Sequence, residues 1–405
     1  MTVLKQAEIG EKISLAAKAG EKIIPFSQAN FPSLSSDTSK KACFIDLADH
    51  QEIEEYAPLD QVITVQCGIK MHILEQVLVK NKQWFPVAYW HNETSLLDLI
   101  LTASAGPLEI VAGGLRRHML GLSFALSNGQ IACAGGRVVK NVSGYDLTRF
   151  FIGSWGHFAL PIQAHLRLCA LPQKTITIMV ASNNLDKLFL IARSIVHTGI
   201  SISYLDIVDR RLISHNQSIV SIKSFLAQSN DNFCLFLQVC GDTSVVDDGI
   251  QQVKGLLKHA QLNYEPAYEA DEQQNILSFL TQLGDVLNRE NTDRILEVAL
   301  SAPEFMHLSQ DKNLVSFPFI YRPAANRLIY RLSNKQEQDS LLIKLNEYAK
   351  QNEKSFLVAF ADDSYIWRVK NIADTTNNEG EKQAIKQRLK QQFDPDNVFN
   401  PFVDL

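Results

Sequence analysis

Several familiar catalytic signatures are missing from this sequence. It has no GxGxxG after a strand, no GxxxxGK followed by Ser or Thr, no HExxH, no GxSxG and no EF-hand loop. Each of these motifs supplies the groups that its own chemistry needs. Their absence argues against Rossmann-type nicotinamide enzymes, P-loop nucleotide hydrolases, zinc proteases and serine hydrolases with a nucleophile elbow.

The cysteines also lack the spacing of a metal or redox site. The chain has six, none in a CxxC or CxxxC pair, at positions 43, 67, 133, 169, 234 and 240. Each lies in an apolar, strand-like run, which predicts buried, reduced thiols. We therefore expect no metal, no disulfide and no iron–sulfur cluster held by this chain itself.

Charge of one sign and long apolar runs are absent too. The net charge is −5, from 39 basic and 44 acidic residues, which gives no reason to expect a nucleic-acid partner. No run approaches the roughly 18 apolar residues of a membrane span, and the first 22 residues are too charged for a signal peptide. We expect a cytoplasmic protein, with peripheral membrane attachment through a partner left open. At 405 residues the chain predicts two domains.

What the sequence does contain is a glycine-rich stretch over residues 135–168. Glycines stand at 135, 136, 144, 153 and 156. The apolar spacing over 145–152 predicts a short helix with Ser143 and Gly144 at its start, and a strand is predicted from Phe158 onward. Local pattern alone fits ordinary turn and cap chemistry as well as a loop whose backbone amides meet an anionic ligand.

The amino-acid sequence of this stretch resembles that of a known family. Residues 140–147 (KNVSGYDL) and 152–156 (IGSWG) resemble the FAD-binding core of the p-cresol methylhydroxylase and vanillyl-alcohol oxidase superfamily, the PCMH type. Within it, the nearest likeness is to an FAD-binding subunit of the three-subunit bacterial glycolate oxidase, the second flavin-type subunit. Residues 393–402 (FDPDNVFNPF) resemble the final signature of the same family.

The resemblance implies an α+β fold, with a two-lobed PCMH-type FAD-binding domain and an α+β cap domain. Its boundaries on this chain would be a helical segment over 1–22, the FAD-binding domain over 23–172, the cap over 173–375, and a segment over 376–405 that returns to the FAD-binding domain. The cofactor it implies is FAD. The residues that match the family's FAD-binding positions are Asn141, Ser143, Gly144, Tyr145, Gly153, Ser154 and Gly156, with Arg116 and Arg117 as counter-charges for the diphosphate.

Two segments depart from the family pattern. Residues 27–36 (SQANFPSLSS) contain no glycine where the family has a glycine-rich diphosphate loop. Residues 93–106 fall where the family opens a helix with two glycines, and the pair reads Leu97-Asp98 or Leu96-Leu97 depending on the register. A carboxylate beside a phosphate is costly. Either Asp98 faces away, or the diphosphate lies elsewhere, or the site does not hold FAD.

The function implied is that of an FAD-dependent subunit in a glycolate oxidase-like complex. Such a complex oxidises a small 2-hydroxy acid, glycolate to glyoxylate, and passes electrons to an iron–sulfur partner. The sequence identifies no catalytic base. The alternative is a non-catalytic scaffold subunit that keeps the fold and has lost FAD binding, and a free-standing oxidase of a sugar or an aromatic alcohol is a more distant one.

Overall fold

The structure is a computed structural model of the chain. It describes residues 2–25, 42–89, 92–104, 106–137, 146–214, 222, 225, 231–284, 294–354, 356–361, 367–372 and 379–399. Two regions are used below: the N-terminal region, residues 2–170, and the cap region, residues 174–372.

The strands in the described residues share a mostly antiparallel arrangement. In chain order they are β1 (Lys22–Ile24), β2 (Ala42–Phe44), β3 (Ile53–Ala57), β4 (Val62–Gln66), β5 (Gln83–Trp84), β6 (Met119–Ala125), β7 (Ile131–Gly135), β8 (Leu160–Arg167), β9 (Cys169–Ala170), β10 (Lys174–Ser182), β11 (Ile202–Asp209), β12 (Phe233–Gly241), β13 (Tyr264–Ala267), β14 (Arg294–Ala299), β15 (Phe319–Arg322), β16 (Arg327–Leu332), β17 (Phe356–Ala361) and β18 (Trp367–Ile372).

The helices lie between these strands and at both ends of the chain. They are α1 (Thr2–Lys18), α2 (Met71–Val79), α3 (Leu96–Thr102), α4 (Glu109–Ala112), α5 (Leu115–His118), α6 (Leu147–Phe151), α7 (Leu185–His197), α8 (Arg210–Ser214), α9 (Thr243–His259), α10 (Ala270–Gly284), α11 (Ala302–Leu308), α12 (Lys312–Val315), α13 (Lys335–Gln351) and α14 (Glu379–Phe393). Short 3-10 turns cover Pro58–Asp60 and Gly106–Leu108.

The N-terminal region is built on a small antiparallel sheet. Its described strands run in the order β3-β4-β8-β6-β7, while β1 and β2 pair in parallel beside it. The inner strand β4 is buried along its whole length and reads VITVQ, which is the β-branched composition expected of such a strand. The β6–β7 hairpin turns at Asn128-Gly129, a dipeptide typical of tight hairpin turns, and Gly129 has the positive φ of 82° that such a turn requires.

The cap region is built on a large sheet with the described order β13-β10-β12-β11-β15-β16-β14-β17-β18. Its inner strands alternate side chains between two apolar faces. One face, including Ile178 and Leu205, packs with α7, α9 and α13. The other, including Met179 and Phe236, belongs to the same core as the N-terminal region. The two regions therefore meet through the large sheet, and the α+β class predicted from the sequence is confirmed.

The carboxyl-terminal segment packs on the N-terminal region. Phe393 stacks on Phe150 with ring centroids 5.2 Å apart, and Ile23 donates its amide to the carbonyl of Val398 at 2.8 Å. Buried Asp394 accepts from the amides of Val398 and Phe399, both at 2.8 Å. The domain boundaries given by the resemblance remain predictions.

Two sequence expectations need correction. The helix predicted over 145–152 begins later, because Asp146 caps it by accepting from the amide of Arg149 at 3.0 Å. Ser143 and Gly144 therefore do not cap it. All six cysteines are free thiols, but only Cys67, Cys234 and Cys240 are buried as predicted. Cys43 and Cys169 are half-buried, and Cys133 is exposed because it lies on the edge strand β7. No helix in the described part of the chain is long and apolar enough to cross a bilayer.

Candidate functional site

The turn over residues 152–156 closes the carboxyl end of α3. Gly153 donates its amide to the carbonyl of Ile100 at 2.8 Å, and Trp155 donates to that of Leu101 at 2.9 Å. The last carbonyls of a helix have no partner within the helix, and this turn supplies two. Gly153 has a φ of 81°, which the backbone needs in order to reverse there.

Gly156 brings this turn against the end of β1. A Cβ built on Gly156 would lie 2.1 Å from Cγ of Pro25, and its φ is 69°. Only glycine allows so close an approach without displacing its neighbour. Pro25 immediately precedes residues 26–41, which include the expected diphosphate loop and lie outside the described residues. This contact therefore fixes the position of Pro25 at the end of β1.

Ser154 places a hydroxyl in the interior of the turn. Its side chain is 4% exposed, and its Oγ has no hydrogen-bond partner among the residues that the structure describes. A buried hydroxyl without a partner costs about 1–3 kcal/mol, so native proteins seldom leave one. Its amide already donates to the carbonyl of Phe151 at 3.2 Å. The side chain is thus the group that this residue can offer to a ligand.

The two candidate arginines lie in different surroundings. Arg116 donates from Nη2 to the carbonyl of Ile152 at 3.0 Å, which places its guanidinium beside the Gly153 turn. Arg117 instead packs against Gly113, with Cδ 3.0 Å from the position of an added Cβ. The neighbouring His118 is buried, and its Nδ1 is 3.0 Å from the carbonyl of Arg167. The structure brings Arg116 to Gly153 and Ser154, and leaves Arg117 apart from them.

The amino end of α3 is closed by its own side chains. Ser95 and Asp98 form a reciprocal capping box, in which Asp98 Oδ2 accepts from the amide of Ser95 at 2.9 Å and Ser95 Oγ accepts from the amide of Asp98 at 3.2 Å. Leu96, Leu97 and Asp98 are all buried. The Asp98 carboxylate therefore lies at the helix start itself rather than facing away from it. This leaves the other two alternatives raised by the sequence, a diphosphate held elsewhere or a site without FAD.

A cavity of about 560 Å³ lies between the N-terminal and cap regions. Apolar residues of α2 and of the segment after β5 form one side of it, and neutral polar residues of the large sheet and α10 form the other. Gln238 Nε2 lies 3.1 Å from Gln273 Oε1, and Ser203 Oγ donates to Gln238 Oε1 at 2.5 Å. Glu75 also lines the cavity and accepts from the hydroxyl of Tyr89 at 2.6 Å. The polar groups that the cap region places in this cavity are neutral amides and hydroxyls. They suit a ligand that is uncharged where it contacts the cap region.

Sequence reasoning missed two parts of this geometry. The capping box could have been read from the spacing Ser-x-x-Asp at 95–98, which is a known helix-start signal. The cavity could not, because its polar wall joins residues from strands and helices far apart in the chain. Of the predicted FAD-binding residues, Asn141, Ser143, Gly144 and Tyr145 lie outside the described residues.

Residues 2–145 match a protein family described as an FAD binding domain. The match covers less than half of the chain and ends before the 152–156 turn. It supports FAD as the cofactor.

Curated relatives match less than half of the chain. Glycolate oxidase subunit GlcE of Escherichia coli is 27% identical over 136 residues, which are 33% of this chain and 39% of that protein. Glycolate oxidase subunit GlcD of Bacillus subtilis is 32% identical over 148 residues, 36% of this chain and 32% of that protein. A probable mitochondrial D-lactate dehydrogenase of Danio rerio is 26% identical over 175 residues, 42% of this chain and 35% of that protein. The matches thus span less than half the length of these relatives.

The likeness of fold extends over almost the whole chain. An alkyldihydroxyacetonephosphate synthase structure aligns with a TM-score of 0.70 and 14% identity, over 96% of this chain and 74% of that one. Identity this low shows the fold alone. The cap region therefore shares its fold with part of that structure.

The described residues fit FAD at one place and not at another. The buried Ser154 hydroxyl fits a ligand that can exchange a hydrogen bond with it, and Arg116 contacts the carbonyl of Ile152 in the same turn. The amino end of α3 does not fit a diphosphate, because its amides already bond within the protein. A diphosphate in this domain would have to be held by segments other than the start of α3.

Proposed function

We propose that this chain is the FAD-binding subunit of a complex similar to glycolate oxidase, and that the complex oxidises a small 2-hydroxy acid. The observation that carries the proposal is the buried Ser154 hydroxyl, which stands in the very turn that the sequence resemblance assigns to FAD. The family match and the relatives support the same reading.

The proposed roles of the residues follow from the geometry. Ser154 exchanges a hydrogen bond with the cofactor, and Arg116 supplies positive charge beside it. Gly153 and Gly156 hold this turn against α3 and β1. We propose Asn141, Ser143, Gly144, Tyr145 and Arg117 as further contacts on the resemblance alone.

FAD, when bound, accepts the two electrons that leave the hydroxyl-bearing carbon as the acid becomes a 2-oxo acid. The two protons released come from that carbon and from its hydroxyl group. We further propose that an iron–sulfur partner subunit takes the electrons onward, as the subunit names of two relatives suggest a complex of several chains.

The purified chain tests this proposal through its visible spectrum. We expect a flavin absorbance, or its appearance after added FAD, and bleaching when glycolate or D-lactate is supplied in the presence of the partner subunits. A colourless protein that does not take up added FAD would contradict the proposal.

A second candidate function is a scaffold subunit without its own flavin. The closed amino end of α3 favours it, because the departure lies where the family contacts the diphosphate. The scaffold predicts that a purified complex contains flavin only in the amount that its other subunits bind. One extra FAD for each copy of this chain would exclude it.

A further inference from the structure

The amino end of α3 has no amide left for a phosphate group. Five successive backbone amides bond within the protein: Ser95 to Asp98 Oδ2 at 2.9 Å, Leu96 to the carbonyl of Ile69 at 3.0 Å, Leu97 to that of Cys67 at 2.7 Å, Asp98 to Ser95 Oγ at 3.2 Å, and Leu99 to the carbonyl of Ser95 at 3.3 Å. An anion binds at a helix start through amides that lack such partners. Here those partners come from the capping box of Ser95 and Asp98 and from the segment that joins β4 to α2.

A negative charge, that of the Asp98 carboxylate, already lies at this position. Asp98 is 0% exposed, and its Oδ2 accepts from both the amide and the hydroxyl of Ser95, the latter at 2.7 Å. A carboxylate near the first turn is favourable to the helix for the same reason that a phosphate would be. A second anion brought there would meet the Asp98 charge at short range, inside a core where water screens little.

Backbone packing adds to the closure. Leu96 and Leu97 are 0% and 2% exposed, so their side chains fill the space around the helix start. The neighbouring Thr94 accepts the amide of Met71 with its carbonyl at 3.0 Å, and Lys70 pairs with Ser95 in an isolated bridge. Opening this end to a ligand would break contacts with α2 and with the segment that joins β4 to α2.

We infer that Asp98 takes the place of a phosphate at the start of α3, so that the diphosphate of FAD is not held there. The inference deepens the proposed function, on which its choice of ligand rests. It explains the departure from the family pattern. Where the family has a glycine pair, this chain has the Asp98 carboxylate and the apolar side chains of Leu96 and Leu97.

The amides of Leu96, Leu97 and Leu99 allow a direct test. The full-length chain is labelled with 15N-leucine, and these three signals are assigned through single Leu→Met variants. We expect FAD to move them no further than riboflavin, which has the same ring system and no phosphate. A shift of two or more of them that FAD produces and riboflavin does not would overturn the inference.

The Asp98→Asn variant gives a second measurement, because asparagine keeps an acceptor for Ser95 and removes the charge. We expect the Kd for FAD to change by less than about threefold. The control is Asp248→Asn, which removes an exposed carboxylate on α9 and should change the Kd just as little. Tightening of about tenfold or more, seen only at Asp98, would place the diphosphate against this residue. If wild type binds no FAD, the leucine signals stay fixed and the inference stands, while the proposed function fails.

Discussion

Two serine hydroxyls on either side of α3 show how much single residues decide in this domain. Ser95 Oγ both donates to Asp98 Oδ2 and accepts from the Asp98 amide, so its hydrogen bonds are all made within the capping box. Ser154 Oγ is as deeply buried, and has no partner among the described residues. The first hydroxyl stabilises a helix, whereas the second is available to a ligand.

Substituting Ser154 separates stability from binding. We expect Ser154→Ala to leave the ligand-free protein as stable as wild type or about 1 kcal/mol more stable, because it removes a buried polar group without a partner. Affinity for FAD should fall by about two- to tenfold, the value of one neutral hydrogen bond. Thermal unfolding and a flavin titration measure the two effects.

The control for this prediction is Ser95→Ala, which should cost about 1 kcal/mol of stability through loss of the cap. If Ser154→Ala destabilised the ligand-free protein more than Ser95→Ala, the Ser154 hydroxyl would have a structural partner and its role toward FAD would be lost.

At the scale of elements, the turn over 152–156 joins three parts of the N-terminal region. It follows α6, closes the carboxyl end of α3 and lies against Pro25 at the end of β1. The amino and carboxyl ends of α3 therefore differ: one is sealed by its own side chains, and the other is completed by a distant turn that carries Ser154.

Replacing Gly156 tests whether this contact positions the site. We expect Gly156→Ala to destabilise the protein by about 2–4 kcal/mol, from a positive φ together with overlap with Pro25. It should also weaken FAD binding, because the turn and the end of β1 must separate. Urea unfolding and flavin titration are the measurements.

Gly136 is the matched control, since nothing lies within 4 Å of a Cβ added there and its φ is not positive. We expect Gly136→Ala to change stability by less than about 1 kcal/mol. Equal losses in the two variants would mean that the Gly156 contact is not special.

At the scale of the whole molecule, ion pairs join elements that lie far apart in the chain. Arg327 on β16 contacts Glu297 at 2.9 Å and reaches Glu109 of α4, in the N-terminal region, at 3.5 Å. Within the cap, Arg322 bonds Asp206 at 3.3 Å and the carbonyl of Leu280 near the end of α10 at 3.2 Å. Burial raises the pKa of Asp206 to about 6, although Arg322 opposes this shift.

The sign of this shift predicts a pH dependence. Asp206 binds its proton more tightly in the folded chain than at its ordinary pKa of about 3.9, so its contribution to stability is complete below that value and is lost as pH rises through about 6. Arg322→Met removes the neighbouring cation and raises this pKa further. We expect a loss of about 3–5 kcal/mol at pH 7.5 and a smaller loss at pH 5, where the carboxyl is protonated.

Urea unfolding at the two pH values measures this difference. Arg193→Met, which removes an exposed arginine on α7, should show little loss and no dependence on pH. A loss for Arg322→Met of the same size at pH 5 and pH 7.5 would show that Asp206 does not titrate in this range.

The sequence by itself pointed to an FAD-binding resemblance and to most of the element types. Helix α2 spans Met71 to Val79, a segment whose apolar spacing and flanking strands are local features that a sequence shows. The sequence IGSWG at 152–156 likewise predicted a turn, because its two glycines are a local feature. Its weakest element prediction was the start of α6, where Asp146 caps the helix in place of Ser143 and Gly144.

Only the tertiary structure decided which of these groups remain available to a ligand. The amides of Leu96 and Leu97 are taken by carbonyls of the segment after β4, and those of Gly153 and Trp155 by the end of α3, 53 or 54 residues earlier in the chain. A sequence shows which residues can donate or accept a hydrogen bond. Which of them already have a partner depends on segments that folding brings together, and that is why Ser154 became a candidate and the start of α3 did not.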